Sequence, residues 1–169
     1  MTSSVTITSV KIPSLELDDN LTMQVDLNPD HTLGVPPLSS PRMIGWFRQS
    51  PVPGDSAVGK YPQAVERAVI VGHINANHVQ GAFADLAKVK VGAELSVLRS
   101  DAQTATFKVS KVLIIAKSAF PTKAVYGDAD GAELVAITCG PGDLDTAQHN
   151  YLQQTIVFAK LISLKPTGP

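Results

Sequence analysis

Cysteine is almost absent from this chain: 169 residues contain one, Cys139. A single thiol excludes an intrachain disulfide framework, so cysteine usage assigns no redox compartment. Charge is sparse too. Asp, Glu, Lys and Arg make up 17% of the residues, and 14 basic against 15 acidic side chains leave a net charge of −1. The basic residues are scattered, which gives no electrostatic footprint for nucleic acid and no polybasic run for anionic lipid. No stretch approaches the roughly 18–20 apolar residues of a membrane-spanning helix, and none reads as a signal peptide. The four histidines, His31, His73, His78 and His149, form neither C-x-x-C with the lone cysteine nor H-E-x-x-H. No metal and no cofactor is expected on that basis. A G-x-S-x-G elbow is missing, and Gly140-Pro141-Gly142 follows a strand without opening a helix, so neither a serine triad nor a phosphate loop is indicated.

What is present is 44% apolar residues cut by 12 glycines and 12 prolines. That composition is globular, and the length suits one domain with a proper core. Residues 5–12 alternate at period two and stop at Pro13; residues 21–27 repeat the pattern before the turn Asn28-Pro29-Asp30. An extended connection holding Gly34, Pro36, Pro37 and Pro41 runs into Met43-Ile44-Gly45-Trp46-Phe47-Arg48, where the aromatics read as core or groove wall. Further strands are expected over 65–71, 94–99, 104–115, 134–139 and 154–164. Residues 81–87 are the best helix candidate, whereas Phe120-Pro121-Thr122 and Tyr126-Gly127-Asp128 read as loop punctuation. About eight short strands with one or two short helical pieces predict a mainly β, single-domain, closed or nearly closed barrel. Missing helical crossovers argue against a doubly wound sheet. Residues 1–4 read as the remnant of a tether, 5–164 as the folded domain and 165–169 as a flexible tail.

Chemistry concentrates at two strand ends. Leu134-Val135-Ala136-Ile137-Thr138 ends in Cys139, and Ala68-Val69-Ile70-Val71-Gly72 ends in His73. A lone cysteine is commonly a small buried hydrophobe. A thiol and an imidazole delivered together at strand tips are instead the raw material of a Cys–His nucleophilic pair.

These pieces resemble the sortase family, and most of all the class E/F-type sortases of actinobacteria. The resemblance runs over residues 7–161. It is carried by Val10-Lys11-Ile12-Pro13, Gly45-Trp46-Phe47-Arg48 with Pro53-Gly54, and Ala68-Val69-Ile70-Val71-Gly72-His73. Ala119-Phe120-Pro121-Thr122, Val125-Tyr126-Gly127, Ile137-Thr138-Cys139-Gly140 and Tyr151 with Ile156-Val157-Phe158-Ala159 continue it. It implies an eight-stranded barrel and a membrane-tethered cysteine transpeptidase on the outer face of a Gram-positive cell membrane. Such an enzyme, a monomer, cuts an LPxTG-like sorting signal of secreted proteins before the glycine. It passes the acyl group to an amine, a cell-wall precursor or a pilin lysine. Cys139 is then the nucleophile and His73 the proton donor. The family's arginine on the strand after the cysteine has no counterpart, since no arginine follows Cys139. Counting back from Ile156, its place falls to Gln154, the oxyanion- or substrate-stabilising candidate, with Leu152 as the alternative register. Arg48 or Arg67 could supply the charge from another strand. Two other departures are Asn75, where relatives commonly carry an acid, and an insertion-like segment over 58–67. Two readings stand beside the transpeptidase: a sortase-fold peptide-binding module with weak or no transfer activity, and a plain cysteine hydrolase on a β-barrel.

Overall fold

The computed structural model describes residues 5–56, 65–76, 79–139, 144–145, 150–151 and 153–168. The chain opens with β1 (Ile7–Ile12), β2 (Leu17–Asp19), β3 (Thr22–Val25), β4 (Ile44–Phe47) and β5 (Ala68–Gly72). The two-residue strands β6 (Asn75–Ala76) and β7 (Val79–Gln80) precede β8 (Glu94–Arg99) and β9 (Gln103–Ala116). Helix α1 (Thr122–Tyr126) leads into β10 (Glu133–Cys139), β11 (Leu144–Asp145), β12 (Asn150–Tyr151) and β13 (Gln153–Pro166). Among the described residues one sheet of nine strands runs β2-β1-β8-β9-β13-β10-β5-β4-β3, and β6/β7 and β11/β12 are separate ribbons. The two edge strands follow each other in sequence. The sheet curls until the Thr22 hydroxyl on β3 donates to the Ile7 carbonyl on β1 at 2.9 Å. Such near-closure removes the open edges of a flat sheet, and the expected mainly β barrel is the fold observed. The ninth strand is Leu17–Asp19, too short to show any alternation in sequence.

Alternation sorts the apolar side chains into two cores. One fills the barrel, with Val10, Ile12, Ile44, Trp46, Ile70, Val97, Phe107, Leu134 and Val157 among its members, and Phe83 and Leu86 plugging it. The other covers the outer face of β4, β5, β10 and β13 with Phe47, Val69, Val71, Val135, Ile137, Ile156 and Phe158. Val125 of α1 is buried there, and Phe120 and Tyr126 pack against the set. Strand β5 is therefore buried along its whole length. Both of its faces need apolar residues, which is why Val69-Ile70-Val71 shows no polar alternation.

Three expectations are corrected. Residues 81–87 form turns and a single 3-10 turn at Leu86–Lys88 rather than a helix. Their backbone donors are used elsewhere: Gly81 N–H bonds the Ile74 carbonyl and Phe83 N–H the His73 carbonyl. A helix forms instead at Thr122–Tyr126, read in sequence as part of a loop, with Val125 N–H donating to Pro121 O and Gly127 N–H to Lys123 O. Finally, β13 runs past Leu164: Lys165 and Pro166 pair with Thr104 and Gln103, and Thr167 N–H donates to Ala102 O.

Candidate active site

The site is built by strand register. Strands β5 and β10 are parallel, with Leu134 opposite Ala68 and Ile137 opposite Val71. Two residues further along each chain stand His73 and Cys139, abreast on neighbouring strands that lie about 4.8 Å apart. On the other flank of β10, antiparallel β13 pairs Gln154 directly with Cys139. Position 73 continues the series Val69, Val71; position 154 continues Phe158, Ile156; position 139 continues Val135, Ile137. The three positions chosen from sequence thus meet at one end of three adjacent strands, on the face roofed by α1.

Local chemistry locks this end. Thr138, 2% exposed, donates its hydroxyl across to the Gly72 carbonyl at 2.6 Å, tying the tips of β5 and β10 together. Gly72 has no room for a side chain, since a Cβ would come within 2.9 Å of the Phe83 ring. Phe83 N–H in turn holds the His73 carbonyl at 3.0 Å. The half-buried imidazole uses Nε2 to bond the carbonyl of buried Pro36 at 2.6 Å. Pro36 carries no side-chain chemistry, and sequence reading missed it. The signal available was the pair Pro36-Pro37, which fixes a carbonyl's direction. Gln154 is half-buried on β13. His78, His149, Leu152 and Gly140–Gly142 lie outside the described residues.

Both substitute arginines sit at the wrong end of the sheet. β4 runs antiparallel to β5 with Ile44 opposite Gly72, so Arg48 lies beyond the other tip, where its Nε–H bonds exposed Asp26 at 2.9 Å. Arg67 precedes Ala68 and bonds Gly127 O, with Glu133 Oε2 at 3.5 Å. Glu133 is the opposite terminus of β10 from Cys139, about 20 Å away at 3.3 Å per residue. Arg42 is near the His73 end, but its guanidinium is committed to Gly81 O and Asp19.

The roof is aromatic. Tyr126 meets Phe47 edge-on at 6.3 Å and Phe120 at 6.1 Å, and burial pushes its phenol pKa upward. The apolar outer face is thus bounded by aromatics and ends at the tip where positions 73 and 139 stand.

Comparison with known proteins fits this geometry. The sequence profile of the Sortase domain matches residues 10–162. The chain belongs to the sortase family. Its fold is similar to sortase A from Corynebacterium diphtheriae, with a TM-score of 0.69 at 18% identity over 97% of this chain and 64% of that one. It is also similar to sortase C1 of Streptococcus agalactiae, with a TM-score of 0.64 at 17% identity over 92% and 66%. Sortase A of Listeria monocytogenes gives 0.65 at 14% identity over 97% and 91%. The chain thus spans about two thirds of the first two neighbours. No curated protein matches it. At the family level the function is of sortase type.

Proposed function

We propose that this sortase is a class E/F-type transpeptidase that cuts an LPxTG-like signal through a thioacyl enzyme on Cys139. The observation that carries the reading is the register: Cys139 stands abreast of His73 and opposite Gln154, at the end of a roofed apolar face. The Cys139 thiolate attacks the carbonyl before the signal's glycine, and negative charge gathers on the carbonyl oxygen. The Gln154 amide donates to that oxygen. As the C–N bond breaks, the imidazolium of His73 gives its proton to the departing amine. An acceptor amine then attacks the thioester, transfers a proton back to His73 and releases the thiolate; water takes its place when no amine is present. The acceptor is a cell-wall precursor or a pilin lysine. Residues 5–164 form the catalytic domain, which works on the outer face of a Gram-positive membrane.

Incubation with an LPxTG-like peptide, with and without an added amine, tests this. Amine-dependent transpeptidation product is expected from the wild type and none from Cys139→Ala, while His73→Ala should cost on the order of 10²-fold or more. Turnover retained in folded Cys139→Ala overturns the reading. One observation favours a second reading, a peptide-binding module with weak transfer activity: no arginine reaches this end of the sheet with its guanidinium uncommitted among the described residues. Peptide binding without any product, in either condition, selects that reading.

A further inference from the structure

The segment that joins parallel β3 and β4 folds into a hydrogen-bonded arm. Leu27 bridges Leu33, Asn28 N–H bonds Thr32 O at 2.7 Å, and Gly34 N–H bonds Asp26 O at 2.8 Å. At the turn, the Asp30 carboxylate accepts from the Thr32 N–H and hydroxyl. The arm ends in Pro36-Pro37 with Pro36 buried, although Val35 and Leu38 beside it are 53% and 62% exposed. Pro36 is seated on Gly45, where a Cβ would come 2.7 Å from Val25 Cγ1 and 3.4 Å from Pro36 Cγ. A ring fixes φ of Pro36, and the following proline restricts its ψ. Both dihedrals that aim the Pro36 carbonyl are therefore set before any partner arrives.

That carbonyl accepts from the His73 ring at 2.6 Å. A carbonyl oxygen carries no proton, so the bond requires N–H on Nε2. In the neutral ring the lone pair then sits on Nδ1; in the cation Nε2–H is still given to Pro36, and the proton that comes and goes is the one on Nδ1. We propose that the Pro36 carbonyl is a positioning group for His73, holding the Nε2–H tautomer so that Nδ1 alone exchanges a proton with the Cys139 thiol and the departing amine. The exchange half rests on the transpeptidase reading; the tautomer half does not.

The test uses the full ¹⁵N-labelled chain at a pH where His73 is neutral, with the resonance assigned through His73→Gln. Long-range ¹H–¹⁵N spectra of the imidazole should give the Nε2–H pattern for His73 and an averaged pattern for exposed His31. Pro36→Gly combined with Pro37→Gly should shift His73 toward the averaged pattern and slow alkylation of Cys139 by iodoacetamide several-fold. An Nδ1–H pattern in the wild type overturns the proposal, and this arm holds even if the double variant fails to fold. An unchanged spectrum in a folded double variant also overturns it. An Nε2–H wild type whose Cys139 is inert toward iodoacetamide removes the exchange half and the transpeptidase reading, leaving the tautomer standing.

Discussion

Gln154 stands directly opposite Cys139 on β13, the place from which the proposed mechanism has its amide donate to the oxyanion. A neutral amide gives an oxyanion a charge-assisted hydrogen bond but adds no charge of its own. Loss of one preorganised donor costs roughly 10²–10³ in rate. Gln154→Ala should therefore slow acylation on the order of 10²-fold with little change in peptide affinity, measured in single-turnover kinetics. Gln154→Arg should match or exceed the wild type. Two wild-type-like variants would reduce Gln154 to a strand residue. The position itself was legible from sequence, because antiparallel pairing preserves the count from Ile156 back to Gln154. The fate of Arg48 was not legible, because which tip of the sheet it occupies depends on strand direction, and β4 runs against β5. Arg67 immediately precedes the strand that leads to His73, so its place at the far tip follows from the strand's length. His73 was visible as a residue leaving the core after an apolar strand, but the partner of its ring is a backbone carbonyl, which no side-chain pattern announces.

Among the elements, α1 roofs the outer apolar face of β4, β5, β10 and β13. Its sequence, Thr122-Lys123-Ala124-Val125-Tyr126, lies between Pro121 and Gly127, and it is too short for a periodic signal, so it read as a loop. Tertiary burial of Val125 forms it. Tyr126 joins it to Phe47 on β4 through an edge contact, and each such aromatic pair contributes about 0.5–1.5 kcal/mol. Tyr126→Ala should accordingly destabilise the fold by at least about that amount, read as a lower urea midpoint. An unchanged midpoint would show that the edge contact holds nothing in place. The long strands were legible from their alternation or continuous apolar runs, and their ends fell within a few residues of the expected ones. The turns at 81–86 were not, because their donors serve His73 and Ile74 across the chain.

Across the whole molecule, the loop after β4 is clamped to the end of β8 by one cation. The Arg99 side chain, 5% exposed, bonds Pro53 O, Asp55 and Asp101. The bond from Arg99 holds the Asp101 carboxyl below its ordinary 3.8. A depressed folded value means that this stabilisation is present above the unfolded pKa and disappears as pH falls through the folded one. The urea midpoint of the wild type should exceed that of Asp101→Asn at pH 6, and the gap should close below about pH 3.8; a constant gap would show that the charge of Asp101 is irrelevant. The strand order carries a consequence in time. β13, which follows the sheet's other strands in chain order, lies between β9 and β10 rather than at an edge. Until it arrives, those two strands each present an open edge to neighbouring chains. The same strand brings Gln154 to Cys139. A nascent chain therefore carries Cys139 before it carries the residue that pairs with it, and its sheet stays split until synthesis has delivered the strand at its middle.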